Sequence, residues 1–147
     1  QYGYPNKPTS LDLLELYYQQ ATPQQISIID DLFKRVVFHN FEIEQAKVHQ
    51  LDNGQYQTQL TLHADKWVLN QQTNKEELER VVDNIQLGLF SGYPQRDNSK
   101  VLSLTKILIN QQKQTITLIS AQKPSFVAVD PNQYRLDRSP NNNIFKL

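Results

Sequence analysis

The chain has no cysteine, no methionine and only four glycines. Without cysteine there are no disulfides, no thiolate nucleophile and no cysteine-held zinc site. With the glycines scattered, neither a P-loop nor a glycine-rich dinucleotide turn occurs, and there is no G-x-S-x-G nucleophile elbow. No run of about eighteen apolar residues is present, so no segment reads as a membrane-spanning helix. Charge of one sign is also lacking: 15 Lys and Arg face 15 Asp and Glu. A general nucleic-acid binder would need a basic surface for phosphate contacts, so nucleic acid is not an expected partner. Residues 1–5 contain neither the basic nor the apolar block of a signal peptide. The absence of Met, at position 1 as elsewhere, sets the expectation of a fragment of a longer chain.

What is present is regular apolar periodicity in a background rich in Gln and Asn. These amides make up roughly a fifth of the 147 residues, yet they interleave with Leu, Ile and Val rather than forming a disordered tract. That length accommodates one domain with a real core.

Pro5 and Pro8 punctuate a lead-in over residues 1–8. Thr9 or Ser10 then caps a first helix, with Asp12 near its positive end. Leu11, Leu14 and Tyr18 fall on one helical face, widened by Leu13, Leu16 and Tyr17. Thr22-Pro23-Gln24-Gln25 starts a second helix: Thr22 caps, Pro23 suits the first helical position and Gln25 completes a capping box. Its stripe is Ile26, Ile29 and Phe33, with Leu32 and Val36 alongside. The two helices form an αα-hairpin over residues 1–35.

From Val36 the period changes to two. A strand runs from 36 toward 48, with room for a bulge. Asp52-Asn53-Gly54 signals a hairpin, read as a type I′ turn with positive φ at both central positions. On the return strand Tyr56, Leu60, Leu62 and Ala64 point one way; Gln57, Gln59, Thr61 and His63 point the other. Residues 70–83 read as a loop or irregular edge, and the charges of Lys75, Glu76, Glu77, Glu79 and Arg80 as a solvated loop or short helix. Residues 85–90 form the next strand, and 91–99 a surface loop. Val101–Ile109 and 115–119 read as a second hairpin around residues 110–113. Phe126–Val129 is the last strand, followed by a turn at Asp130-Pro131 and a polar tail. The expected fold is mainly β: an antiparallel β-sandwich over residues 36–147, prefaced by the helical hairpin.

Several landmarks occur in order: Leu32-Phe33 running into the strand at 36–38, the Leu51-Asp52-Asn53-Gly54-Gln55-Tyr56 hairpin, Lys66, the stretch from Asp83 to Phe90, Lys123-Pro124, Val129-Asp130-Pro131, and Leu136-Asp137-Arg138 with Asn143. This set resembles the C-terminal domain of bacterial membrane proteins that fuse an ABC-transporter-type permease to an aminopeptidase-N-like zinc metallopeptidase. The resemblance covers most of the chain. It implies a parent with membrane helices, then a peptidase domain, then this module on the extracytoplasmic side of the inner membrane, with the peptidase domain as its partner. In that family an H-E-x-x-H helix and a downstream Glu hold zinc. Here His39, His49 and His63 are followed by Asn40, Gln50 and Ala64, so zinc is expected only in the upstream domain, and no cofactor in this fragment. The tail departs from the family pattern by carrying Asn141 and Asn142 where acidic residues are frequent.

Each residue-level candidate has an ordinary alternative. Three histidines on neighbouring strands invite a metal, but a structural zinc site usually takes four ligands, with Cys or carboxylate among them. Asp130, Asp137 and Asn141–Asn143 offer oxygen donors without calcium-loop spacing, and Asp-Pro with Asn-rich segments is common turn chemistry. Asp130 is expected to bond amides of its own turn, and Asp137 to pair with Arg138. Trp67, Tyr93 and Tyr134 are candidates for a surface patch, against the reading that they pack at the core or its edge. No catalytic residue is assigned. The expected function is a non-catalytic accessory domain of a membrane-anchored, aminopeptidase-like metallopeptidase; the alternative is an extracytoplasmic interaction module.

Overall fold

The computed structural model describes residues 7–147; the lead-in with Pro5 and the leader-free reading of residues 1–5 fall outside them, wholly or in part. Two helices come first, α1 (Ser10–Gln20) and α2 (Pro23–Phe33). Both begin with complete capping boxes, Thr9 with Asp12 and Thr22 with Gln25, and Pro23 opens α2 as anticipated. Each box satisfies backbone donors that a helix start leaves open. The hairpin is clasped by Tyr18 donating to Asp30, by Lys34 over the Tyr18 ring and by Tyr17 against Phe33.

Eight strands follow: β1 (Val37–Gln50), β2 (Tyr56–Asn70), β3 (Lys75–Glu79), β4 (Asp83–Phe90), β5 (Val101–Ile109), β6 (Lys113–Ser120), β7 (Phe126–Val129) and β8 (Ile144–Lys146). They form two four-stranded antiparallel sheets. In one, β2 pairs with β1 along one side and with β6 and then β3 along the other. The second runs β5-β4-β7-β8. The expected mainly β fold is therefore present. Its core is the two inner faces: Phe41, Ile43, Leu60, Leu62 and Ala64 meet Ile85, Leu87, Leu89, Val127 and Val129, with Ile109, Ile116 and Leu118 closing the side.

Four local expectations change. The Asp52-Asn53-Gly54 hairpin forms, but not as a type I′ turn. Leu51 still pairs with Gln55, leaving a longer loop in which Gly54 alone takes positive φ (83°). Asn53 keeps negative φ, and its side chain accepts from the Gln55 N–H at 3.0 Å. This is the hairpin class with a left-handed glycine closing a wider turn.

The charged run read as a loop or short helix is edge strand β3, fully exposed. Its opposite faces reach different partners: Glu76 meets Arg138, and Glu79 meets Arg35 and Lys66. β5 and β6 do not form a hairpin. β5 pairs with β4 in one sheet and β6 with β2 in the other, and the Ala64 N–H takes the Gln112 carbonyl (2.7 Å) where the chain crosses. The polar tail after Asp130 is not an extension into solvent. A 3₁₀ turn at Pro140–Asn143 returns the chain as β8, antiparallel to β7.

The bulge allowed for in β1 is present, as a register shift between Ile43 and Gln45. Gly88 is needed for close approach: a Cβ there would stand 2.5 Å from the Phe90 ring.

The hairpin sits at one end of the sandwich, where α2 borders Val37 and His39 of β1 and Asp83 of β4. No residue of either helix is buried. Leu11 (73% exposed), Leu13, Leu16, Tyr17, Leu32 and Phe33 all meet solvent. The helical stripes predicted from the sequence are only half-covered: Leu14, Tyr18, Ile28 and Ile29 are half-buried, and the rest of the apolar surface meets solvent.

Candidate polar site beneath the second helix

Strand alternation places Val37, His39, Phe41 and Ile43 of β1 on the inner face, paired with Val68, Lys66, Ala64 and Leu62 of β2. Two positions of this apolar series are therefore polar, His39 and Lys66, and both are buried. They lie side by side at the end of the sandwich bordered by α2.

Lys66 Nζ reaches Asp31 of α2 at 2.5 Å and Glu79 of β3 at 3.6 Å. Arg35, just past α2, meets the same two carboxylates. From the far sheet, Asp83 at the start of β4 holds Arg135 at 2.6 Å. Removing one partner of such a partly buried pair leaves an uncompensated charge, so each pair stands or falls together.

Arg135 is positioned by the turn the sequence singled out. Asp130 is buried, takes positive φ (44°), and accepts from the backbone N–H of Tyr134 (3.1 Å) and Arg135 (2.8 Å). That is the turn role anticipated for it, and Pro131 lies buried beside it, with its carbonyl accepting from Gln95 (2.8 Å). Asp137 does not pair with Arg138. Its carboxylate accepts from the backbone N–H of Phe41 (2.9 Å) and Ser139 (2.7 Å), and from the side chain of buried Asn143 (3.3 Å). The His39 N–H donates to Leu136 and the Arg138 N–H to the His39 carbonyl, so residues 136–138 lie along the edge of β1. Arg138 extends outward over Phe38 and Trp67 to Glu76.

A cavity of about 60 Å³ lies under α2, lined by Ile28, Asp31, Leu32 and Val37 together with His39, Asp83, Arg135 and Leu136. Tyr134 stands at its margin, 64% exposed. His39 is 6% exposed, and its Nδ1 has no hydrogen-bond partner; Asp31 Oδ1 has the Arg35 guanidinium 3.1 Å away. Burial pushes the His39 imidazole below its ordinary value; the cations Arg135 and Lys66 push the same way, and Asp83 and Asp31 oppose. The shift favours the neutral ring in a charge-lined pocket. No Ser or Thr lines that pocket, so no side-chain hydroxyl of that kind stands beside the base.

The three histidines are not brought together. His39 faces inward opposite Lys66; His63 faces outward, 3.1 Å from Asp65; His49 pairs across with Gln57. Among the described residues no group of three or more His, Cys, Asp or Glu is arranged to hold a metal. Nor do the three aromatics form one patch. Trp67 is half-buried beneath Arg138, Tyr93 packs edge-on against Phe126 on the outside of the other sheet, and Tyr134 borders the cavity. The His39–Lys66 pair went unremarked in the sequence, although its signal was there: polar residues at the inward parity of apolar strands.

No family model, no curated protein and no solved structure matches the chain.

Proposed function

We propose that this chain is a non-catalytic accessory module of a membrane-anchored, aminopeptidase-like metallopeptidase, packing beside the peptidase domain on the extracytoplasmic side. The observation that carries the docking role is the helical hairpin: two well-capped helices that bury none of their residues and present Leu11, Leu13, Leu16, Tyr17, Leu32 and Phe33 to solvent. A large exposed apolar face of this kind marks a contact surface. The link to a peptidase parent rests on the ordered landmarks. Those in the tail have defined structural work, since Asp130 presents Arg135 and Asp137 pins the tail to β1. Zinc and the residues that bind it belong to the upstream domain in this reading, and so do the membrane helices. No helix among the described residues is long and apolar enough to cross a membrane.

The test has two arms. The module is mixed with a separately produced peptidase domain of its parent, and binding is measured for the native chain and for Leu13→Glu/Leu16→Glu. Binding lost in the variant supports the docking face; no binding by the native chain removes it. Aminopeptidase turnover by the isolated module that requires added zinc and stops with chelator would overturn the non-catalytic assignment.

A second reading is an interaction module for another envelope protein. It is favoured by β5, an edge strand with Val101, Leu104 and Leu108 exposed. Such an edge is open to strand addition.

A further inference from the structure

The cavity beneath α2 holds less than half the roughly 150 Å³ that accepts a benzene ring, so water-sized occupants are its limit. Its interest lies in what lines it. The roof, α2, has no buried residue, and the charged ties that bind it below are Asp31 to Lys66 and Arg35 to Glu79. The floor holds a nine-tenths-buried imidazole with an unpartnered nitrogen.

We propose that the α1–α2 hairpin is an acid-released lid, in which protonation of His39 favours a form with α2 lifted off the cavity. The inference is independent of what the parent chain is.

The groups facing His39 come from every element packed around it. They are Asp31 of α2 with Arg35 behind it, Lys66 of β2 with Glu79 of β3 beyond, Asp83 of β4, and Arg135 of the returning tail. The carboxylates are already committed to Lys66, Arg35 and Arg135. A proton on His39 therefore adds a fourth cation to a cluster whose anions are engaged. Burial is the main influence holding the ring neutral. Lifting α2 opens the cavity that His39 lines to water and relieves that burial; the Asp31–Lys66 pair is given up in exchange, with Glu79 remaining 3.6 Å from Lys66 Nζ. The open form then binds the proton more tightly than the closed one.

By linkage, the closed form is fully favoured above about pH 6.5, where the ring is neutral in both forms. It loses favour as pH falls below that value, down to the lower value of the closed form, where the effect levels off. The hinge is Lys34 and Arg35, because Val36 is already held to Leu69 at 2.9 Å.

The chain's composition suits the experiment: Trp67 is the single tryptophan, and there is no native cysteine. Gln20→Cys at the end of α1, carrying an acceptor dye, reports energy transfer from Trp67. Transfer should fall as pH is lowered from about 7.5 to about 5.5, with a midpoint below the ordinary histidine value. The β-sheet circular dichroism should stay unchanged. In His39→Gln the pH dependence should vanish while transfer stays at the neutral-pH level. In Asp31→Asn transfer should be reduced at neutral pH. Flat transfer in the native background, or an unchanged pH profile in His39→Gln, would overturn the lid. The imidazole proton resonance of His39, followed in the native chain, gives a check that needs no variant: a midpoint at or above the ordinary histidine value also refutes it.

Discussion

The sandwich and the helical hairpin carry apolar patterns of similar regularity, and they use them differently. In the sandwich, alternate residues of β2, β4 and β7 interlock across two sheets, and Leu62, Leu87 and Val129 lose all contact with water. In the hairpin, Leu13 and Leu16 lie one helical turn apart and, with Leu11, remain in solvent. Pattern alone therefore does not produce a core; a facing surface is also required. The sheets have each other, whereas the hairpin meets only an end of the sandwich and is tied there through charge. Its stability comes from caps and from the Tyr18–Asp30 clasp, and the stability of the sandwich comes from burial.

That contrast can be broken in order of size. Leu87→Ala in the central strand β4 should cost about 2–5 kcal/mol in urea unfolding, because a fully enclosed side chain leaves a void. Leu16→Ala on the hairpin should stay within about 0.5 kcal/mol; a cost as large as that of Leu87→Ala would mean the hairpin has a buried partner. Asp137→Ala should lose about 1.5–3 kcal/mol, since its carboxylate serves backbone donors on both β1 and the tail. Gly54→Val should cost about 1–3 kcal/mol through backbone strain alone, as a Cβ at Gly54 meets nothing within 4 Å.

The smallest effect concerns acid and the hairpin. The Tyr18 hydroxyl and then Lys34 hold the exposed Asp30 carboxyl below its usual range. A depressed carboxylate contributes stability that is present above its unfolded value and lost as pH falls through the folded one. Helical circular dichroism should therefore decline at strongly acid pH before the β signal does, and Tyr18→Phe should remove part of that early loss. Simultaneous loss of both signals would show that hairpin and sandwich unfold together.

Much of the architecture was legible in the sequence because local chemistry sets it. Thr22-Pro23 dictated a helix start, and the alternation from Tyr56 to Ala64 dictated a half-buried strand. The misreadings arose where a distant partner decides. Nothing local distinguishes a hairpin between β5 and β6 from a crossing between sheets; the difference is the pairing of β6 with β2 from Tyr56 to His63. Edge strand β3 looked like a loop because its pairing comes from β2 and its charges are answered by Arg35, Lys66 and Arg138. The polar site was missed for a related reason. His39 and Lys66 are separated by the whole hairpin and become neighbours only through strand register, and their partners arrive from α2 and from the tail.

That register has a consequence of its own. One border of β2 is shared by two segments far apart in sequence: β6 along its first half, through His63, and β3 along its second, from Lys66. An extra residue inserted between those halves would keep β6 in step while inverting the parity of everything after it, turning Lys66 outward and Trp67 in. The shared seam thus acts as a proofreader of length, locking the sandwich and its charged end to a single count of residues.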